Sequence, residues 1–417
     1  MTTLNPRPAP YQTRFIEQRL AELWAHFPIV AVLGARQVGK STLVRHVLER
    51  KIKTIVFDPV QDVGGARQDP DLFLQNHPPP LFLDEIQYAP ELPAALKRRV
   101  DASPAVGQYM ISGSQNLMVL RGISESLAGR VAILNLPPMG YAELQRHTAA
   151  ADTLSRWVRG QDPVTTASTP PPPPWLPAVW RGGYPGLLAL PNHLVQTYLD
   201  SYVRTYIERD IRIVAAVGDL QLFGRFFGLL AAHTACEVNP TELGRELGID
   251  HKTARHWLSI AEATYQWVEI AAFTRNPAKR VSGKNKGFMT DTGLACFHQR
   301  IPEPEMLPNH PLYGRLLETW VVTEILKRIQ VWPTTPVVWH YHAHGGAEVD
   351  LILEWGGRLF PIEIKAKTHP ARADARGITA FRTAHPALDI APGLIISAVT
   401  EPERLAPDLF AIPWWTV

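Results

Sequence analysis

Lys40 and Ser41 stand directly after a loop bounded by Gly34 and Gly39, and that loop follows the β-branched run Ile29–Val32. An amphipathic pattern (Leu43, Val44, Val47, Leu48) begins at Lys40, so the order is strand, glycine loop, helix. Glycines let the backbone curl until successive N–H groups face one point. The following helix adds the positive end of its dipole, and phosphates are then held with little side-chain help. Gly34, Gln37, Val38, Gly39 and Thr42 belong to this phosphate loop. The Lys40 ammonium is expected to reach the β- and γ-phosphates of a nucleotide, and the Ser41 hydroxyl to meet its metal ion.

A second apolar strand, Leu81–Leu83, ends in Asp84 and Glu85. A phosphoryl-transfer site needs such a pair: Asp84 to hold Mg²⁺ through water, Glu85 to polarise the attacking water. The next strand ends in Ser112-Gly113-Ser114-Gln115, and either Ser114 or Gln115 could sit between that water and the γ-phosphate. Arg130, after Leu127-Ala128-Gly129, could project from one subunit into a neighbour's nucleotide and supply transition-state charge in trans. The expected cofactors are ATP and Mg²⁺.

Two further groups of residues could do chemistry. Glu318 shares a helical stripe with Val322, Ile325 and Ile329, a costly place for a carboxylate that binds nothing. Asp350 lies on the strand Glu348–Leu353, and Glu363 and Lys365 share one face of Phe360–Lys365. In that order a helical Glu, an Asp and an ExK strand make the constellation of PD-(D/E)XK nucleases, a divalent-metal site for phosphodiesters. The other group is basic. Asn239-Pro240 caps one helix, Gly248 turns, and Asp250 caps a second carrying Lys252, Arg255 and His256. Beyond it, Tyr265–Phe273 and Lys286–Met289 read as wing strands around a loop with Arg275, Lys279, Arg280, Lys284 and Lys286. DNA is the expected partner of this surface.

These residues need elements to hold them. At 417 residues the chain is too long for one core, and two or three domains are expected. A hydrophobic share of 46% with 19% charged residues excludes a disordered chain, while a net charge of +3 decides nothing about nucleic acid by itself. Cys236 and Cys296 have no CxxC spacing, so neither a disulfide framework nor a zinc site is suggested. With no signal-like N-terminus and no long apolar run, a soluble, cytoplasmic protein without membrane contact is expected. Apolar runs at Thr54–Phe57, Leu81–Leu83, Tyr109–Ile111 and Val131–Leu134 alternate with helix-length segments, which reads as a parallel sheet covered on both faces. The proline run Pro170–Pro174 excludes helix and reads, from about Asp162 to Pro177, as a tether or surface excursion. Expected boundaries are 1–150 for the ATPase, 151–220 for the Pro-rich insertion and helical connector, 221–300 for the winged helix-turn-helix and 301–417 for the nuclease-like domain.

The combination GARQVGKST (34–42), LFLDEIQ (81–87), ISGSQN (111–116), SLAGR (126–130), RGGYPGLL (181–188), YIERDI (206–211) and DTGL (291–294) resembles a prokaryotic AAA+ ATPase family. The likeness runs from about Tyr11 to the C-terminus. The resemblance implies an α/β additional-strand P-loop (AAA+) parallel sheet, an α-rich winged helix, and an α/β restriction-endonuclease-like domain. Archaeal relatives include ATPases associated with Holliday junctions and with nuclease activity. It carries over Lys40 and Ser41 to the phosphate loop, Asp84 and Glu85 to the metal and water acids, and Arg130 to the AGR motif. The function it implies is a homo-oligomeric, hexameric ATPase that remodels DNA, branched DNA in repair or recombination foremost. The alternative is a nucleotide-controlled signalling or defence switch whose C-terminal domain is the effector.

Overall fold

The computed structural model describes residues 10–49, 52–114, 127–146, 153–164, 175–206, 219–275, 284–343 and 345–417. The Pro170–Pro174 run, Gln115, Lys279, Arg280 and most of the YIERDI stretch lie outside these residues.

Five strands, β1 (Ile29–Leu33), β2 (Lys53–Val56), β3 (Leu81–Asp84), β4 (Tyr109–Gly113) and β5 (Val131–Asn135), form a parallel sheet in the order β2-β3-β4-β1-β5. The strand carrying the phosphate loop therefore neighbours β4, not the acid-bearing β3, which is the additional-strand arrangement. β1 is buried on both faces. Its alternate residues serve two cores: Val30 and Val32 pack with Ile16, Leu20 and Met110, while Ile29, Ala31 and Leu33 pack with Leu83, Leu96 and Tyr109. That is the period-two consequence of a strand covered on both sides.

The flanks of the proline run are not a tether. Helices Trp175–Arg181 and Asn192–Tyr206 bury Val179, Trp180, Val195 and Leu199 in the main core. The Trp180 indole N–H donates to the Ile301 carbonyl at 2.8 Å. Aromatic bulk on these helices turns what composition suggests is a connector into a packed layer, and the second helix reaches the phosphate loop through Tyr198 and Gln37.

Three helices follow, Leu220–Ala232, Pro240–Leu247 and His251–Ala263. The caps fall where the sequence places them: Asn239 Oδ1 accepts from Thr241 and Glu242 N–H, Asp250 Oδ1 from Lys252 and Thr253 N–H, and Gly248 turns at φ 71°. β6 (Cys236–Glu237), β7 (Trp267–Ala272) and β8 (Lys286–Met289) are antiparallel neighbours. They do not end a separate domain. β7 pairs with β9 (Val337–His342) through Ala271 opposite Trp339 and Ala272 opposite His340, and β10 (Glu348–Trp355), β11 (Arg358–Lys365), β12 (Gly393–Ser397), β13 (Glu403–Ala406) and β14 (Leu409–Pro413) complete one sheet of nine strands. The helix Tyr313–Ile329 packs against β11 and also contacts β8. Among the described residues no helix is long and apolar enough to cross a membrane.

Candidate functional site

The phosphate loop leaves β1 at Gly34, whose φ is 154°; a Cβ there would sit 2.2 Å from the Leu136 carbonyl oxygen, so no larger residue fits. Gly39, at φ 96°, turns the chain into the helix Lys40–Val47. Lys40 is buried, and its Nζ donates to the carbonyls of Gly34 at 3.0 Å and Ala35 at 2.9 Å. The ammonium thus folds back into the curl of its own loop, where a polyphosphate would compete for it.

Ser41 Oγ donates to Asp84 Oδ2 at 2.6 Å, and the Ser112 hydroxyl donates to Asp84 Oδ1. A hydroxyl and a carboxylate meeting at the mouth of the loop are hard oxygen donors of the kind Mg²⁺ takes, so this pair fits that ion. Glu85 has φ 59°, a strained value for a non-glycine residue, and its N–H donates to Ser112 Oγ at 3.1 Å. Its Oε2 accepts from Gln87 Nε2 at 2.5 Å and from Ser114 Oγ at 3.1 Å. Burial works to raise the Glu85 pKa. The charges of Lys40 and Arg36 and the bonds from Gln87 and Ser114 outweigh it, so the carboxyl lies below its ordinary range and is ionised at neutral pH. Gln87 carries no local signal beyond its place in LFLDEIQ, yet it is buried and its Oε1 has no hydrogen-bond partner among the described residues.

Arg130 lies at the other end of this sheet. Its carbonyl accepts from Ile29 N–H at the start of β1, whereas the phosphate loop begins after Leu33, roughly 13 Å further at about 3.3 Å per residue. Its guanidinium holds Asp101 through two bonds, 2.5 and 3.0 Å long, on an exposed surface. Arg130 therefore faces away from its own phosphate loop.

Arg14, a residue with no sequence signal, is buried beside the loop. It donates from Nη1 to Val38 O at 2.9 Å, from Nη2 to Pro137 O at 2.7 Å and from Nε to Glu143 Oε2 at 3.1 Å. A cavity of about 130 Å³ opens here between the N-terminal strap (Tyr11, Arg14), the loop (Gly39, Thr42) and Pro185 with Leu188 of RGGYPGLL. Tyr198 O–H donates to Gln37 Oε1 at 2.5 Å. The RGGYPGLL and DTGL motifs meet as well: Gly183 N–H donates to Asp291 Oδ2 at 2.7 Å, and a Cβ on Gly182 would collide with the same carboxylate.

The C-terminal acids converge, but around Lys286, a cation expected from sequence on the basic wing. Lys286, expected on a phosphate-contacting wing, is 3% exposed. Its Nζ lies 2.6 Å from Glu318 Oε1, 2.6 Å from Glu348 Oε1 and 3.7 Å from Asp350 Oδ1. Lys365 Nζ lies 2.9 Å from Glu363 Oε2 and 3.5 Å from Asp350 Oδ2. Burial and the Asp350 charge push Glu318 up to about 8 and Glu363 to about 9, against the pull of Lys286 and Lys365 respectively. Fully ionised, four carboxylates and two ammoniums would leave a net −2. With protons on Glu318 and Glu363 the cluster is neutral. A divalent metal does not fit this arrangement: the Lys286 ammonium occupies the centre, between Glu318, Glu348 and Asp350, and among the described residues no group of three or more His, Cys, Asp or Glu is set to hold a metal ion. The helix Arg376–Ala384 closes over the cluster, since a Cβ on Gly377 would stand 1.6 Å from Glu348 O.

Of the other basic residues, Lys252, Arg255 and His256 are exposed along one side of the second helix of the turn, and Arg275 is exposed. Lys284 is exposed and pairs with Glu237 at 3.5 Å.

Residues 26–145 match an AAA domain. Residues 175–305 and 313–417 match two domains of unknown function, DUF8612 and DUF4143. Uncharacterized proteins of Mycobacterium bovis and Mycobacterium tuberculosis are each 27% identical over 354 residues, 85% of this chain and 74% of theirs. Among solved structures, the chain is similar to a Walker-type ATPase of Pyrococcus abyssi (TM-score 0.43, 14% identity, 68% of this chain and 94% of that one). It is also similar to the RuvB Holliday junction branch migration motor of Thermotoga maritima (TM-score 0.31, 13% identity, 66% and 96%).

Proposed function

We propose that the chain is a Mg²⁺-dependent ATPase that works as a homo-oligomer, a hexamer by resemblance, and engages DNA through the helix His251–Ala263. The observation that carries the ATPase reading is the meeting of Lys40, Ser41, Asp84 and an ionised Glu85 at one mouth of the parallel sheet.

Each residue has a role. Lys40 leaves the Gly34 and Ala35 carbonyls for the β- and γ-phosphates. Ser41 and Asp84 would hold Mg²⁺, which when bound neutralises charge on the phosphates. Glu85 orients the attacking water and accepts its proton, with Ser114 and Gln87 fixing the carboxylate. The cavity beside Tyr11 and Pro185 continues from the loop and suits the nucleoside.

Arg130 completes a neighbour's site. Because it faces away from its own phosphate loop, Arg130→Ala and Lys40→Ala subunits should complement each other: after verified subunit exchange, the mixture hydrolyses more ATP than the two mutants summed. Hydrolysis no greater than that sum counts against a finger in trans.

DNA engagement rests on the exposed Lys252 and Arg255, not on Lys286. Replacing both by Ala should weaken binding to all sequences alike and flatten the log–log salt slope by roughly two, about one per lost phosphate contact. A folded variant with an unchanged slope assigns the helix to protein packing. Comparing a four-way junction with a linear duplex in the same assay tests the preference for branched DNA.

A nucleotide-controlled switch is the second reading, favoured by buried contacts that join the phosphate loop to the helix Tyr313–Ile329: Arg14 bonds Val38 O and Glu143, Glu143 accepts from Gly140 N–H, and Glu324 accepts from Tyr141 N–H at 2.6 Å. DNA-stimulated steady-state hydrolysis supports the motor, and a single slow turnover supports the switch. Nuclease activity is not part of either reading, because Lys286 takes the cation position.

A further inference from the structure

The segment Pro137–Tyr141, which follows β5, is gripped from two sides by buried ion pairs that come from distant parts of the chain. On the phosphate-loop side, Arg14 binds Val38 O and Pro137 O while pairing with Glu143. Glu143 also accepts from Phe15 N–H at 2.6 Å and Gly140 N–H at 2.7 Å. On the other side, Glu324 Oε2 accepts from Tyr141 N–H at 2.6 Å, and Lys327 Nζ donates to Met139 O at 3.2 Å and to Glu324 Oε1 at 2.8 Å. Arg14, Glu143, Glu324 and Lys327 are all less than 9% exposed.

Buried charges are costly, and when each is paired and hydrogen-bonded they define one geometry better than apolar packing does. Here every bond from these four side chains to the backbone ends on the phosphate loop, the strap before the first helix, or Pro137–Tyr141. The space is tight enough to transmit a shift: a Cβ on Gly140 would be 3.1 Å from both Glu324 Oε2 and the Phe15 ring. The same segment contacts RGGYPGLL through Met139 N–H to Gly183 O at 2.7 Å, and a Cβ on Gly183 would lie 2.2 Å from Met139 O.

We propose that Glu324 and Lys327, on the helix Tyr313–Ile329, are positioning residues for the nucleotide site: through Pro137–Tyr141 and the Arg14–Glu143 pair they set the shape of the phosphate loop, and nucleotide binding in turn tightens the C-terminal helix. The proposal rests on the ATPase reading above and adds the regulation of that site by the C-terminal third of the chain. Lys40 must leave the Gly34 and Ala35 carbonyls for a nucleotide to bind, and the Val38 carbonyl two residues earlier is held by Arg14. A change in the loop is therefore felt at Arg14, then at Glu143 and Gly140, then at Tyr141 and Glu324. Coupling of this kind is reciprocal: the factor by which nucleotide stabilises the helix contact is the factor by which the contact strengthens nucleotide binding.

The test uses the full chain with a non-hydrolysable ATP analogue and Mg²⁺. In wild type, bound analogue should slow amide exchange severalfold in residues 139–141 and in the helix 313–329. In Glu324→Gln, which keeps size and one acceptor, the helix response should be lost and the analogue should bind at least about fivefold more weakly, the lower end of ordinary coupling. Lys327→Met should behave likewise, and Lys327→Arg should restore most of both effects. A merely structural role would lower the melting temperature and leave the affinity unchanged. Equal affinity in wild type and both folded variants overturns the proposal, and so does wild-type protection confined to the AAA segment, a result that needs no variant to fold. Failure of the wild-type chain to bind the analogue at all overturns the ATPase reading beneath it as well.

Discussion

Lys40→Ala should abolish nucleotide binding, whereas Glu85→Gln should keep near-wild-type affinity and lose hydrolysis. Lys40 Nζ is the charge at the centre of the loop's curl, donating to the Gly34 and Ala35 carbonyls. Its loss removes a charge-assisted contact that holds substrate in both ground and transition states. Glu85 is hydrogen-bonded to Gln87 and Ser114, so its amide analogue leaves the loop's own contacts with the phosphates in place. Without the carboxylate the attacking water has no acceptor for its proton, and general-base loss of this kind costs about 10²–10⁴ in rate. Titration with a fluorescent nucleotide alongside phosphate release reads both quantities. Equal loss of affinity in the two variants would contradict the division of roles.

Lys286→Ala should destabilise the chain by about 3–5 kcal/mol, the usual cost of removing one partner of a buried ion pair. A domain's whole stability is only about 5–15 kcal/mol, so a large fall in melting temperature is expected. Wild type should show no rise in melting temperature with millimolar Mn²⁺. The Lys286→Ala protein should show one, since the cation position is then open. The pH dependence follows from the same group. Glu318 and Glu363 hold protons in the folded state up to about 8 and 9, against an ordinary 4.5 when unfolded. Their contribution is complete below the unfolded value and is lost as pH rises through the folded values. Wild type should therefore melt lower at pH 9.5 than at pH 6, and Glu318→Gln should flatten that slope. A metal-stabilised wild type with a flat profile would restore the divalent-metal reading.

The parts legible in the sequence are those whose signal is local. GARQVGKST and LFLDEIQ each carry loop, strand and chemical groups within a few residues, and the structure brings Lys40, Ser41, Asp84 and Glu85 to one mouth as that pattern requires. Asn239 and Asp250 cap their helices for the same reason, since a cap acts on N–H groups two or three residues on. What escaped depends on contacts between remote residues. Arg14 and Glu143 are 129 positions apart, and Tyr141 and Glu324 183, so neither pair has any expression in periodicity. Lys286 was misplaced for a related reason. It opens the short strand Lys286–Met289, which is buried throughout, and its neighbours in sequence are basic while its partners lie on β10 and a remote helix. The nine-stranded sheet was equally hidden, because two residue pairs between β7 and β9 join segments that each read as complete on their own.

The most direct check of the account is a structure of the Glu85→Gln protein with ATP and Mg²⁺. Nucleotide should lie along the loop Gly34–Thr42 with Lys40 Nζ on its β- and γ-phosphates, the metal ion beside Ser41 and Asp84, and the nucleoside against Tyr11 and Pro185. Nucleotide bound elsewhere, or Lys40 still on the Gly34 and Ala35 carbonyls with nucleotide present, would contradict it.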